Sequence, residues 1–361
     1  IGWRSLQNQN AGADAYNVAI GYDSGLSIST GKESVIIGGL AGDAITTGTR
    51  NTLIGFTAGS ALVEGGSNVA VGFQALLSET AHGANTAIGY NALVTQNAGA
   101  NAFNVAVGYN AAASLTTGVQ NTLIGSQAGD SLTTGTKNVA IGFEALATED
   151  AHGFNVAVGH RALKTQNAGA SAYNTALGYN AGLNVTTGTN NTIIGGLAGE
   201  QMTTAAHNVA IGYNAMTAVT EGNTNIAIGR DALATNTVGD RNVAIGHEAL
   251  MTMNPSSDSD NYNVAVGYNA GKAVTTGERN TLMGGFAGDA LTTGGSNVAI
   301  GYAALTTEDA NGLNVAIGLS ALQTLNAGAD AYNVAVGANA GLAMTTGVKN
   351  TLIGGLAGDS L

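Results

Sequence analysis

Apolar and polar residues recur along the chain in a five-residue phrase, Asn-Val-Ala-Ile-Gly, first complete at residues 17–21. Its twenty copies begin at 17, 34, 51, 68, 85, 104, 121, 138, 155, 174, 191, 208, 225, 242, 263, 280, 297, 314, 333 and 350. The step is 17 residues, apart from three steps of 19 and one of 21. Self-similarity at such a period is the signature of a solenoid, in which each repeat is one coil that buries its apolar face on its neighbours. The pattern therefore predicts an all-β chain: a single parallel β-solenoid, or β-roll, of about 20 coils.

Within the phrase, the second position is Val or Ile in thirteen copies and Thr in seven, so it is β-branched throughout. The fourth is aliphatic or Met in all twenty and is always followed by Gly. The opening Asn is broken once, by Ser34, and an Ala three residues after the Gly is broken once, by Ser24. A β-branched run of this length, bounded by Asn and Gly, predicts a short strand. A glycine in every coil argues against helix.

Alternation along that strand puts Val18 and Ile20 on one face and Ala19 on the other. The aliphatic column Ile20, Ile37, Ile54, Val71, Ile88, Val107, Ile124 and onward to Ile353 is accordingly expected to be the dry core. The Ala face, small in fourteen copies, is expected to lie against something flat, either another chain or the opposite wall of a thin roll. Ile36, Leu53, Leu123, Ile193, Leu282 and Leu352 mark where that face is thicker. The Asn column (Asn17, Asn51, Asn68, Asn104, Asn121, Asn138, Asn155) is expected to stack its amides into a ladder along the axis. Gly21, Gly38, Gly55 and Gly72 mark either a bend with positive φ or a close backbone approach. At about 4.8 Å per layer, twenty coils would rise roughly 95 Å.

A higher order sits above the coil. Four-coil blocks at 104–173 and 263–332 alternate with five-coil blocks at 17–103 and 174–262, and a last partial block covers 333–361. All belong to one continuous solenoid, 1–361, that reads as cut from a longer fibre at both ends. The extra residues of the long coils fall at one corner, where loops bulge without breaking a stack. The 21-residue coil, with Pro255 and Asp260, is expected to protrude most.

Composition narrows the function classes. The chain has 55 Gly, one Pro, no Cys and 9% charged residues, and its 11 basic and 23 acidic residues leave a net charge of −12. No basic stripe offers a footprint for nucleic acid. Lack of Cys removes disulfides and thiol chemistry. No uninterrupted apolar run is long enough to insert in a membrane as a helix.

Asn104-Val-Ala-Val-Gly-Tyr-Asn-Ala111, followed by Thr116-Thr117-Gly118, resembles the repeats of bacterial and phage tail-fibre proteins. The twentyfold phrase is also similar to the Ser-Val-Ala-Ile-Gly head repeat of YadA-type trimeric autotransporter adhesins. The resemblance implies a left-handed parallel β-roll, chains side by side in a homotrimer, and an extracellular attachment fibre on a bacterial cell surface or a phage virion. Family coils are nearer 14 or 15 residues, so 17 demands a wider coil or longer turn. A hexapeptide-type left-handed β-helix is a neighbouring alternative, although only one hexapeptide per coil is clear, as at residues 141–145.

Sites of chemistry are scarce. His82 and His152 occupy equivalent corners four coils apart, on the order of 19 Å along the axis, too far for one ion. They read as solvated corner residues. Asp43, Asp130, Asp289 and Asp359 follow Ala-Gly and read as turn acids. The Gly-rich 195–199 segment lacks a phosphate-loop Lys. No catalytic residue, metal ligand or cofactor is expected, and the chain is not read as an enzyme. Thr pairs such as Thr46-Thr47 and Thr133-Thr134 raise the alternative of an ice- or polysaccharide-binding face. The leading expectation is a structural and adhesive shaft that gives rigid extension and multivalent attachment. Its partners are other copies of itself and a host or environmental surface, glycan among the options. Tyr22, Tyr90, Phe143, Tyr179 and Tyr268, just after the Gly, are candidate surface contacts.

Overall fold

The computed structural model describes residues 1–360, which fall in two compact units, Ile1–Leu177 and Gly178–Leu361. Each unit is a parallel β-solenoid with one three-residue strand per coil. The first unit holds ten such strands, from Val18–Ile20 to Thr175–Leu177, and each pairs in register with the same positions of the next. The second holds ten from Thr192–Ile194 to Thr351–Ile353, paired in the same way. No helix occurs among the described residues. One strand per coil differs from the hexapeptide-type β-helix, which would carry three.

The rest of each coil is turn, except that two coils of the second unit add a two-residue strand, Gly239–Asp240 and Ser259–Asp260, which pair in parallel with each other. Three residues per coil take the left-handed conformation: the one before the Asn, and the second and fourth after the Gly. In the coil at 138–154 these are Glu144 (φ 51°), Leu146 (51°) and Phe154 (65°), the last preceding Asn155. Each non-glycine residue there costs about 1–2 kcal/mol, which stacking against neighbouring coils must offset. The Gly ending the phrase is a bend and a close approach at once. Gly38 has φ 138°, and a Cβ on it would lie 2.3 Å from the carbonyl oxygen of Gly55. Gly21, Gly55 and Gly72 share this geometry at φ 139°, 140° and 140°.

The Asn column is a ladder whose rungs differ from stacked amides. Backbone N–H of Asn68 donates to Oδ1 of Asn51 at 3.0 Å, Asn121 to Asn104 at 2.9 Å, Asn138 to Asn121 at 2.9 Å and Asn155 to Asn138 at 3.1 Å. Each Nδ2 mostly turns across its own coil to the last corner, as from Asn17 to the Gly31 carbonyl (2.8 Å) and from Asn51 to Gly65 (2.8 Å). One buried amide thus closes its own coil and fixes the start of the next. Only Asn was short enough and carried both an acceptor and a donor for this double task.

The expected core column is overturned. Ala19, Ala70, Ala106 and the other middle residues up to Ala335 point inward and are buried, whereas Ile20, Ile37, Ile54, Val71, Ile88, Val107 and Ile124 point outward, half-buried or exposed. Ile20 keeps 39% of its surface exposed and Ile88 38%. Strand alternation separates the two faces but does not say which is inside. The answer comes from the opposite wall of the same coil, which lies close and fills the interior with its own side chains. That wall supplies the Ala three residues after the Gly and a large residue seven after it: Ile28, Ile45, Leu62, Leu115 and Leu132 are all fully buried. Little depth is left for the strand, so a methyl group suffices.

Where the strand does carry a large inward residue, the far wall makes room. Leu53 and Leu123 face Gly59 and Gly129, while Ala70 and Ala140 share their coils with Leu76 and Leu146. A Cβ on Gly129 would meet Leu123 Cδ2 at 2.9 Å and Leu132 Cδ1 at 2.8 Å. The second unit repeats the exchange, with Ile193 and Leu282 opposite Gly199 and Gly288. The order of coils within a block is therefore an order of core volumes.

Candidate functional surface

With the Ala face inward, each unit turns its β-branched and aliphatic columns to solvent. The strand positions two and four form a flat sheet face, and neither position holds a charged residue in any of the twenty copies. A net charge of −12 resides elsewhere on a coil whose strand face is neutral throughout.

Aromatic residues frame this face on both sides. All eleven Tyr occupy one of two columns. Tyr16, Tyr173, Tyr262 and Tyr332 immediately precede the phrase. Tyr22, Tyr90, Tyr109, Tyr179, Tyr213, Tyr268 and Tyr302 follow its Gly. All are exposed by 45–74%. In the first unit Phe56, Phe73, Tyr90 and Tyr109 stack along the axis at ring separations of 5.8, 5.1 and 5.3 Å. Rings at one per coil cannot approach more closely than the strand spacing, and here they nearly match it. On the other edge Phe154 stacks on Tyr173 at 5.2 Å, with the Lys137 ammonium 5.1 Å from the Phe154 ring centre.

The five contact residues singled out in the sequence lie in the second of these columns. Tyr90 is stacked on both sides. Phe143 stacks on His160 at 5.3 Å and Tyr268 on His247 at 5.3 Å, while Tyr22 lies 5.8 Å from the Arg4 guanidinium carbon. Tyr179 is exposed by 56%. The second edge, with Tyr16 and Phe103, was missed. Its signal was in the sequence, as the residue before each Asn.

Other expected sites sort differently. The first Thr of each pair ties coils together: Thr46 Oγ1 donates to the Val63 carbonyl at 3.2 Å, and Thr116 to Thr133 at 3.0 Å. The second Thr, such as Thr47 or Thr117, is exposed. Neither member enters the core. His82 and His152 are only partly solvated. Their Nδ1 atoms lie 3.8 and 3.3 Å from the carboxylates of Glu79 and Glu149, which are wholly buried. Asp43 accepts a hydrogen bond from Ser60 Oγ at 2.6 Å. Asp130 and Asp289 are half-buried, and burial pushes both carboxyls above the usual range. Among the described residues no helix is long and apolar enough to cross a membrane.

No protein-family model matches the chain, and no curated protein matches it either.

Proposed function

We propose that the chain is a structural and adhesive segment of an extracellular or virion fibre, whose copies associate side by side, three to a bundle, through the strand face. The neutral, β-branched face framed by aromatic edges carries this reading. Across the ten coils of each unit the outward strand residues stay half-buried or exposed, which leaves a continuous apolar strip for a partner to cover. A relief that repeats at the coil spacing is best matched by a partner with the same spacing, namely another copy. The absence of charge on this face removes like-charge repulsion from association of an acidic chain. Rigid coils then present many identical weak contacts to a host or environmental surface, glycan among the options, and avidity supplies the strength.

Ice or polysaccharide binding by the Thr pairs is a weaker reading, because the first hydroxyl of each pair already donates its hydrogen to the next coil. The stacked rings also cover one another's faces, leaving edges outward where a sugar would need an open face.

Sedimentation velocity tests the association. A trimer is expected, and Ile141→Lys with Ile211→Lys should dissociate it while strand circular dichroism is retained. A monomer at tens of micromolar, where even weak specific complexes form, would defeat the reading. Immunogold electron microscopy on thin-sectioned cells and on virions tests the location, since label confined to the cell interior would exclude a surface fibre.

A further inference from the structure

Three coils turn their last corner in the same way. Glu79, Glu149 and Glu308 replace the usual aliphatic residue seven after the phrase Gly, and each is fully buried. Three residues later the backbone N–H donates back to Glu Oε1: His82 at 3.1 Å, His152 at 3.1 Å and Asn311 at 3.3 Å. The next residue is Gly in all three, because a Cβ on Gly83, Gly153 or Gly312 would run into the backbone of the preceding coil. The fold thus fixes the Gly, while the residue before it varies. At Asn311 that variation creates the single Asn-Gly pair of the chain.

In an Asn-Gly pair the side-chain carboxamide is open to attack by the following backbone nitrogen, since Gly brings no Cβ to hinder the approach. Here both reacting groups are held. Nδ2 of Asn311 donates to Glu308 Oε1 at 3.1 Å, alongside the residue's own N–H, so the carboxamide is folded back over its backbone. The Gly312 N–H donates to Oδ1 of Asp330, in the next coil, at 3.0 Å. A carbonyl acceptor there would only restrain the nitrogen, whereas this exposed carboxylate can take its proton. The sister coil offers a neutral acceptor instead, as Gly83 donates to Asn101 Oδ1 at 3.0 Å.

We propose that Asn311 and Gly312 form a self-modification site, at which Asn311 deamidates with Asp330 as the base. The Gly312 nitrogen bonds to Asn311 Cγ, and its proton passes to Asp330. The Cγ–Nδ2 bond breaks, and Nδ2 leaves as ammonia with that proton. Water then opens the cyclic imide at either carbonyl, giving aspartate or isoaspartate, and no oxidant or reductant is needed. The new carboxylate replaces a donor to Glu308 by a like charge beside a buried carboxylate. Glu308 Oε2 also accepts from the Ala327 N–H of the next coil at 3.4 Å, so the corner at 326–330 is the segment that this change loosens.

The full chain, incubated at neutral pH and mapped by peptide mass spectrometry, should gain about one mass unit at Asn311 before any other Asn. Asp330→Asn, which copies Asn101 of the sister coil, should slow that gain severalfold. In urea, where the coils no longer hold Asp330 against Gly312, the same substitution should leave the rate unchanged. Faster conversion at another Asn, or a folded-state rate untouched by Asp330→Asn, would overturn the proposal.

Discussion

The coils at 121–137 and 138–154 are neighbours with the same strand, bend and amide clamp, yet they fill their interiors in opposite ways. The first buries Leu123 from the strand and leaves Gly129 opposite. The second buries Ala140 from the strand and Leu146 opposite. The total is conserved while its source changes wall. A thin solenoid has no depth in which to absorb an extra methylene, so a large residue on one wall requires a small one on the other. The next residue differs too: Asp130 follows Gly129, whereas Ala147 follows Leu146.

Breaking this compensation should have the largest effect. Leu123→Ala puts two small residues in one coil, and chemical denaturation should show a loss of about 2–5 kcal/mol. Gly129→Leu puts two large ones there, in a left-handed position with contacts under 3 Å, and should cost about 1–3 kcal/mol from overpacking. The double variant gives the neighbouring coil's pairing of Ala on the strand with Leu on the far wall, with Leu132 kept where that coil has Glu149. It should be less destabilised than either single change, and simple additivity would show that the two walls are not coupled.

The acid that accompanies the Gly-type coil gives a smaller, pH-dependent contrast. Asp130 and Asp289 are pushed above the usual carboxylate range first by burial. A raised folded-state value favours the protonated, folded form. Its stabilisation is full below the unfolded value of about 3.9 and is lost as pH rises through the folded value. Thermal melts should therefore show a gain on acidification from neutral pH, and Asp130→Asn with Asp289→Asn should flatten it. An unchanged profile would mean that these carboxyls titrate normally. The smallest effect is expected from Thr116→Val, which removes one inter-coil hydrogen bond of a kind that Thr133 also makes but that the coil at 138–154, with Asp150 there, lacks; it should cost about 0.5–1.5 kcal/mol in the same denaturation assay.

Much of this architecture was legible in residue order. Coil length, strand position and the Gly bend follow from the phrase, because each is a local backbone requirement repeated twenty times. The exposed aromatic edge at Tyr22 and Tyr90 was legible as well. The buried Glu149 was not. In sequence it belongs to a polar corner, Glu-Asp-Ala-His, and only the fold shows that its carboxylate takes the place of Leu132 in the interior column.

The sequence by itself determined where the chain turns and which residues share a face. The tertiary structure alone decided which face is inside. Val18 and Ile20 look more like core than Ala19, and by transfer free energy they are. But the room inside a coil is set by how closely three left-handed corners draw the opposite wall toward the strand. In that narrow space Ala fits beneath Leu and Ile from the far wall, and the larger residues are turned outward to form the face through which the copies are proposed to meet.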